Sequence, residues 1–453
     1  GVLWADEDYH LAAAIQTLHG KLLYRDLWYD KPPLAAWVYA AIGGLAGWPL
    51  RLFDALYVLA VCIATWRFAR DLWGRREAML AAGLMAFFLN FDLASAVIPI
   101  ASDLFMLLPH IVAVHCAWKG KPLAAGLWCG VAFLFHTKGV FVLAACALLG
   151  WRGLPLLLLG FAIPNVAVLA GLAAGGALPQ YFRQVWEWSA AYARSSPELH
   201  PLENGLRRTA DWLGFHAALA VGARFFPRYF LQLLPPMVLC AAAALAAEGN
   251  GFSQSHASGA DSQEGLPQNS TRSGVRRLIP ALRGRAAAVV IAVALLVPLV
   301  RFGPRYVTLA RDLLAGHEHR WSDVTLDQDS QAAAALVNQR VRPGDTLFVW
   351  GYRPGIFVYT RLPAAARFWD SQPLTGVPAD RHLREAVNVI PELTARNRSE
   401  FAASLPTFVV DSLSLSNPRL AVDGYPELQA WLAQYRLVAR TPLSLIYELA
   451  AAR

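Results

Sequence analysis

Leu154-Pro-Leu-Leu-Leu-Leu-Gly-Phe-Ala-Ile-Pro-Asn-Val-Ala-Val-Leu-Ala-Gly-Leu-Ala-Ala174 carries no charged side chain from end to end. A helix needs about 20 apolar residues to cross the hydrocarbon core of a bilayer, so this stretch reads as a transmembrane span. Apolar runs continue to either side of it. Before it lie 52–69, 78–100, 103–118, 122–138 and 139–150, the last short even for a tilted helix. After it come 229–247 and 286–302. Residues 34–48 are apolar but short, and read as a re-entrant or surface helix. Residues 209–223 read as a non-crossing segment. The composition agrees, with 56% hydrophobic and only 16% charged residues against about 25% charged in soluble domains. The expected fold class is a mainly α, polytopic transmembrane helical domain, 34–302, with a small soluble α/β domain at the C-terminus.

Basic residues orient these spans, because cytoplasmic loops collect arginine and lysine. Arg67, Arg70, Arg75 and Arg76 cluster between two spans, and Lys119 and Lys121 between two others. Residues 248–275 are rich in Gly, Ser, Gln and Asn, and run into Arg276, Arg277, Arg283 and Arg285. That composition makes 248–285 a flexible linker on the same, cytoplasmic side. By alternation, residues 1–33, the turns at Asp103 and Lys138, and everything beyond 303 face outward. The net charge of +8 follows from the same loop arginines. No basic stripe interleaved with aromatics marks a nucleic-acid surface, so no nucleic-acid partner is expected. The chain opens at Gly1 without a basic, signal-like region, and a further span upstream is expected. Cys62, Cys116, Cys129, Cys146 and Cys240 all lie in apolar stretches without metal-like spacing, and read as small buried hydrophobes.

Residues 303–453 change character. Thr346–Trp350, Thr407–Asp411 and Leu443–Leu449 read as strands, and 331–341 and 428–435 as helices. This is a domain of ordinary size.

The polar chemistry collects at the outer mouth of the spans. Asp6-Glu7-Asp8-Tyr9-His10 forms an acidic cluster, expected in a juxtamembrane loop over 1–33 with a short interfacial helix at 11–18. Tyr29-Asp30-Lys31-Pro32-Pro33 follows it. Charged groups beside or within a bilayer are costly, and so point to function. Group transfer from a lipid-linked phosphate needs a base to activate an acceptor hydroxyl or amine, and cations to hold the phosphate. Asp6 or Glu7 could be the base, and Lys31 and Lys138 could meet the phosphate. Asp103 could orient the base or help bind a divalent metal cation through oxygen. Plainer roles stand beside these. Lys31 could be a snorkelling anchor, Pro32-Pro33 a helix start, and Asp103 an N-cap. His317-Glu318-His319 reads as a solvent-exposed loop rather than a metal site. No G-x-x-x-x-G-K-[ST] or H-E-x-x-H motif occurs. A non-enzymatic flippase or transporter of lipid-linked sugars would spread polar residues through the bilayer midplane, whereas here they gather at one face.

Several strings, in order, resemble membrane glycosyltransferases of the polyprenyl-phosphate-sugar type. They are Asp6-Glu7-x-Tyr9, Gly20-Lys-Leu-Leu-Tyr24-Arg-Asp26-x-Trp28 and Lys31-Pro32-Pro33-Leu34. Arg51 before a span, Ser102-Asp103, Thr137-Lys138-Gly139 and Arg228-Tyr229-Phe-Leu-Gln-Leu-Leu-Pro235-Pro236 continue the pattern. This is the GT-C architecture of glycosyltransferase family 39, in the bacterial group related to protein O-mannosyltransferases and aminoarabinose transferases. The resemblance covers roughly residues 1–247. It implies an inverting transferase in the bacterial cytoplasmic membrane, with its active site and C-terminal domain periplasmic. It implies a polyprenyl-phosphate sugar as donor, and leaves the acceptor open among glycans, lipids and proteins. By position Asp6 takes the catalytic place with Glu7 beside it, and Asp103 the second acidic place. Lys31 and Lys138, with Tyr9, Arg228 and Tyr229, take the phosphate-binding places.

Overall fold

The computed structural model describes residues 2–91, 99–194, 234–243, 285–316 and 322–450. Arg228, Tyr229, the 209–223 segment, nearly all of the 248–285 linker and His317-Glu318-His319 lie outside these residues.

The first element corrects the reading of residues 1–33. The acidic cluster is the first turn of a 14-residue helix, α1 (Ala5–Leu18), and not part of a loop. Three carboxylates there are where a helix dipole favours negative charge. A short α2 (Leu34–Ala41) follows the two prolines and ends at Gly43 and Gly44, both with positive φ. The apolar segments then form α3 (Trp48–Leu72), α4 (Arg75–Phe91), α5 (Ser102–Trp118), α6 (Pro122–Phe135), α7 (Gly139–Leu149) and α8 (Leu154–Ala174). The span expected over 78–100 is helical only to Phe91 among the described residues.

Two of these helices are long and apolar enough to cross a membrane. Only 33% of the most apolar stretch of α3 is buried, and 17% of that of α8 with the turn before it. Leu52, Leu56, Leu59 and Ile63 form an exposed stripe on α3, and Leu156, Leu159, Ile163 and Val166 one on α8. A core helix of a soluble protein would bury such a face, and exposed apolar patches of this kind mark an interaction surface. Lipid tails supply it, so the chain is membrane-embedded.

Length limits what α6 and α7 can cross. With a rise of 1.5 Å per residue, α6 (14 residues) and α7 (11 residues) reach about 21 Å and 16 Å, short of the ~30 Å hydrocarbon core. Neither helix crosses the core alone, and the 136–138 turn that joins them carries Lys138.

Close backbone approach holds α6 to α8. A Cβ on Gly126 would lie 2.0 Å from the Leu157 carbonyl oxygen, and one on Gly160 2.2 Å from that of Leu123. Gly126 and Gly130 make the small-x-x-x-small spacing that lets membrane helices touch. Gly160→Leu should force the helices apart and cost about 1–3 kcal/mol, the range for overpacking, read as a lowered melting temperature in detergent. Gly171→Ala, where a Cβ meets nothing, should melt like the parent.

The C-terminal domain carries a four-stranded sheet. Its strands are β1 (Leu347–Trp350), β2 (Phe408–Asp411), β3 (Tyr435–Arg440) and β4 (Leu445–Leu449), in the order β1-β2-β4-β3. β1 and β2 pair in parallel, and the other pairs are antiparallel. β1, β2 and β4 coincide with the three runs read as strands. The helix expected over 428–435 spans Pro426–Leu432, and Tyr435 already belongs to β3. The helix read at 331–341 spans Ser322–Asn338. A core of Phe348, Trp350, Phe401 and Trp431 backs the sheet.

This domain is not hung apart from the acidic cluster. Gln16 of α1, fully buried, donates to the Leu362 carbonyl at 3.0 Å and accepts from the Ala364 amide at 2.7 Å. Arg361 donates to Gly44 O at 2.8 Å, and the Trp28 amide to Arg367 O at 2.8 Å. Five buried residues of α1, Leu11 to Ile15, complete the junction.

Candidate active site

Glu7 is fully buried and forked onto Arg51, whose Nη1 lies 3.1 Å from Glu7 Oε1 and whose Nη2 meets Oε2. Arg51 also bonds Asp54 one turn along α3. The Ile100 amide donates to Glu7 Oε1 at 3.3 Å. These partners fix the start of α1 against α3 and make Glu7 a clamp. Asp6 precedes it, half-buried. Residues four apart share a helix face, so Asp6 lies on the face that carries His10.

His10 bridges two elements through its ring nitrogens. Nδ1 meets the Tyr29 hydroxyl, and Nε2 lies 3.0 Å from Ser102 Oγ at the head of α5. Burial, followed by the charge of Lys31, pushes its pKa down to about 3. The ring is neutral at physiological pH, with one donor and one acceptor nitrogen.

Next to Ser102, Asp103 Oδ1 accepts from Lys138 Nζ at 3.1 Å and lies 3.7 Å from His136 Nε2. The charge of Lys31 acts on Asp103, His136, Lys138 and His10. Residues more than a hundred positions apart thus converge: Lys31, Asp103, His136 and Lys138, with His10 over them. Lys31 itself is 40% exposed, bonding Asp30 Oδ2 at 3.2 Å. Its loop is held by Gln184, which accepts from the Tyr29 amide at 2.7 Å and donates to Tyr24 O at 2.8 Å. Tyr24, at φ 71°, turns the loop and donates to Lys31 O at 2.8 Å.

The remaining expected residues fall elsewhere. Tyr9 faces the C-terminal domain, stacked on Tyr29, Tyr352 and Trp369 at 5.2–5.4 Å. Its hydroxyl accepts from the Asp30 amide at 3.3 Å. Asp8 accepts from the Gly355 amide at 2.9 Å, and burial holds its pKa well above the usual carboxylate range despite that bond. Asp103 offers a divalent cation a single carboxylate, whose Oδ1 bonds Lys138 with His136 beside it. No cluster of three or more His, Cys, Asp or Glu that could hold a metal occurs among the described residues.

Reading the sequence alone missed His10, His136 and Gln184. His10 and His136 carried a signal, one four residues after Asp6 and the other two before Lys138. Gln184 and Trp369 carried none, being set by tertiary contact.

Residues 30–191 match the family model described as dolichyl-phosphate-mannose-protein mannosyltransferase. No curated protein matches the chain in sequence. Among solved structures, ArnT from Cupriavidus metallidurans in the apo state is 16% identical, with a TM-score of 0.50 over 98% of this chain and 94% of that one. ArnT from the same organism bound to undecaprenyl phosphate is 15% identical, with a TM-score of 0.50 over 100% and 95%. The chain has the GT-C membrane fold of these structures, and its 30–191 segment is similar in sequence to the dolichyl-phosphate-mannose-protein mannosyltransferases, as the acidic pair and the Lys-Pro-Pro motif led one to expect.

Proposed function

We propose that this chain is an inverting glycosyltransferase. It moves a sugar from a polyprenyl-phosphate donor to a lipid, glycan or protein acceptor at the outer face of a bacterial cytoplasmic membrane. The carrying observation is the cluster formed by the Asp103–Lys138 ion pair and Lys31, whose charge acts on both. Its lysines suit a phosphate, and its setting among apolar helices suits a lipid. The family model, and the undecaprenyl phosphate held by the ArnT structure, support the donor class.

In this reading Asp6 takes the proton from the acceptor hydroxyl or amine as that atom attacks the anomeric carbon. The bond between the anomeric carbon and the phosphate oxygen breaks from the opposite face. The electron pair leaves with the polyprenyl phosphate, whose charge Lys31 and Lys138 neutralise. Asp103 holds Lys138 in place, and Glu7 holds α1 through Arg51. No step is assigned to a metal. The reading also includes Arg228 and Tyr229, which lie outside the described residues, as proposed further phosphate contacts.

Purified protein given polyprenyl-phosphate sugars and membrane acceptors should release free polyprenyl phosphate; silence with every donor would end this reading. Lys31→Met and Lys138→Met keep the apolar stem and remove the charge. Each should weaken donor binding by about 1.5–3 kcal/mol, the worth of a charge-assisted hydrogen bond. Lys31→Met is the cleaner test, because Lys138→Met also strands Asp103. Unchanged binding in both would reduce the lysines to interface anchors.

A further inference from the structure

We propose that the groove between the end of α1, Trp37 of α2 and the C-terminal part of α8 binds an anionic phospholipid, its phosphate on Lys21 and an acyl chain along α8. The groove holds about 400 Å³, within the range of ordinary ligand sites, about 300–1,000 Å³. Lys31, Asp103 and Lys138 take no part in its lining.

Small side chains open the groove. Ala167 and Gly171 stand one turn apart on α8, both exposed, and a Cβ on Gly171 would meet nothing. Trp37, partly buried, forms one wall. Thr17 forms another, and its hydroxyl is already engaged, donating to Ala13 O at 3.0 Å. Apart from Thr17 and Lys21 the lining is apolar. Val166, which precedes Ala167, belongs to the exposed apolar stripe of α8, so the groove adjoins the surface that faces lipid tails.

Lys21 brings a charge to this apolar lining. It is half-buried in the loop after α1, and burial lowers its pKa while the Asp26 charge opposes that. Asp26 is engaged elsewhere. Its Oδ1 accepts from Arg25 Nε at 2.8 Å, and its Oδ2 from Arg25 Nη2 at 2.9 Å and the Leu22 amide at 3.0 Å. Arg25 Nη1 in turn donates to Gly175 O at 3.0 Å, which ties this loop to the end of α8. Among the described residues Lys21 makes no hydrogen bond or ion pair. A partly desolvated ammonium favours an anion as partner, and the apolar walls favour a chain behind that anion. A phospholipid with net negative charge supplies both.

Trp37 reports on the groove directly, because brominated acyl chains quench a tryptophan that they touch. Its share of the quenching is the difference between the parent and Trp37→Phe. In detergent, dibrominated phosphatidylglycerol should quench Trp37 at about fivefold to tenfold lower concentration than dibrominated phosphatidylcholine, the effect of one lysine on an anionic lipid. Lys21→Met should respond to both lipids alike. Gly171→Leu, which fills the groove, should weaken quenching of Trp37 by either. If Gly171→Leu does not fold, Lys21→Met, a change at a half-buried loop position, still decides the matter. Lys31→Met should keep the preference, and its loss there would place the lipid at the donor lysines and overturn the proposal. Equal quenching by the two lipids in the parent would overturn it too, leaving Lys21 a snorkelling anchor. So would a preference that survives Lys21→Met, or full quenching in folded Gly171→Leu. Displacement of phosphatidylglycerol by inorganic phosphate would make Lys21 a plain anion site, with the same result. Turnover plays no part in this readout, so loss of the transferase reading and loss of the lipid site are separate outcomes.

Discussion

Asp6→Asn should keep the fold and bind the donor normally, yet turn over about a hundredfold more slowly or worse, the scale of a lost general base. The substitution is nearly isosteric. It removes one of three acidic groups from the first turn of α1, worth about 0.3–1 kcal/mol of helix-dipole stabilisation, which is too little to unfold a helix with a fully buried middle. What it removes completely is an oxygen able to accept a proton. The other two carboxylates of the turn are poorly placed to substitute. Glu7 is forked onto Arg51, and Asp8 points to the C-terminal domain at Gly355. Asp6 is left with the face of α1 that carries His10, above Ser102 and the Asp103–Lys138 pair. Release of polyprenyl phosphate at saturating donor is the measurement. Turnover within a few-fold of the parent would pass the role of base to Asp103 or Glu7.

The membrane part was legible because each span states itself locally. α3, α5, α6 and α8 are apolar runs bounded by Arg, Lys or Gly, and these are physical requirements of a bilayer rather than of particular neighbours. β1, β2 and β4 were legible for a similar reason, being short runs of aromatic and branched residues between turn signals. The charge cluster at residues 6–8 was misread as a loop, since an acidic first turn and a solvated acidic loop have the same composition. Only the buried Ala12-Ala13-Ala14 beyond it, packed under residues 355–364, separates the two. Of the site, the lysines and Asp103 could be named because charge within apolar sequence is conspicuous. Glu7 and Asp6 stood side by side, and nothing in the string said which of them would face Arg51. The stacking of Tyr9 on Trp369 could not have been found at all, because it joins α1 to a domain without a recognisable motif across more than 300 residues of chain.

Arg51→Met should destabilise the protein by about 3–5 kcal/mol, the cost of stripping the partner from a buried ion pair. The guanidinium serves three acceptors at once: Glu7, which is wholly buried, Asp54 one turn along α3, and the Val2 carbonyl at 3.2 Å. Methionine fills part of the volume and satisfies none of them. Two carboxylates would then face each other in a site where Asp54 Oδ1 already lacks a hydrogen bond, and like charges so placed disfavour one another strongly. Replacing the acid along with the base separates this cause from simple loss of packing. Arg51→Met/Glu7→Gln keeps the side-chain shape and discharges Glu7, so it should recover a substantial part of the lost stability. If the charge is the cause, the single variant melts far below the parent in detergent and the double variant lies between them. Equal melting temperatures for single and double variants would assign the loss to packing alone. A single variant within about 0.5 kcal/mol of the parent, the scatter of ordinary surface changes, would mean that the fork does not hold α1 in place. Because Asp6 is the residue before Glu7, any slackening of this fork also moves the proposed base. Turnover of the surviving folded protein should therefore fall in Arg51→Met even when donor and acceptor are saturating.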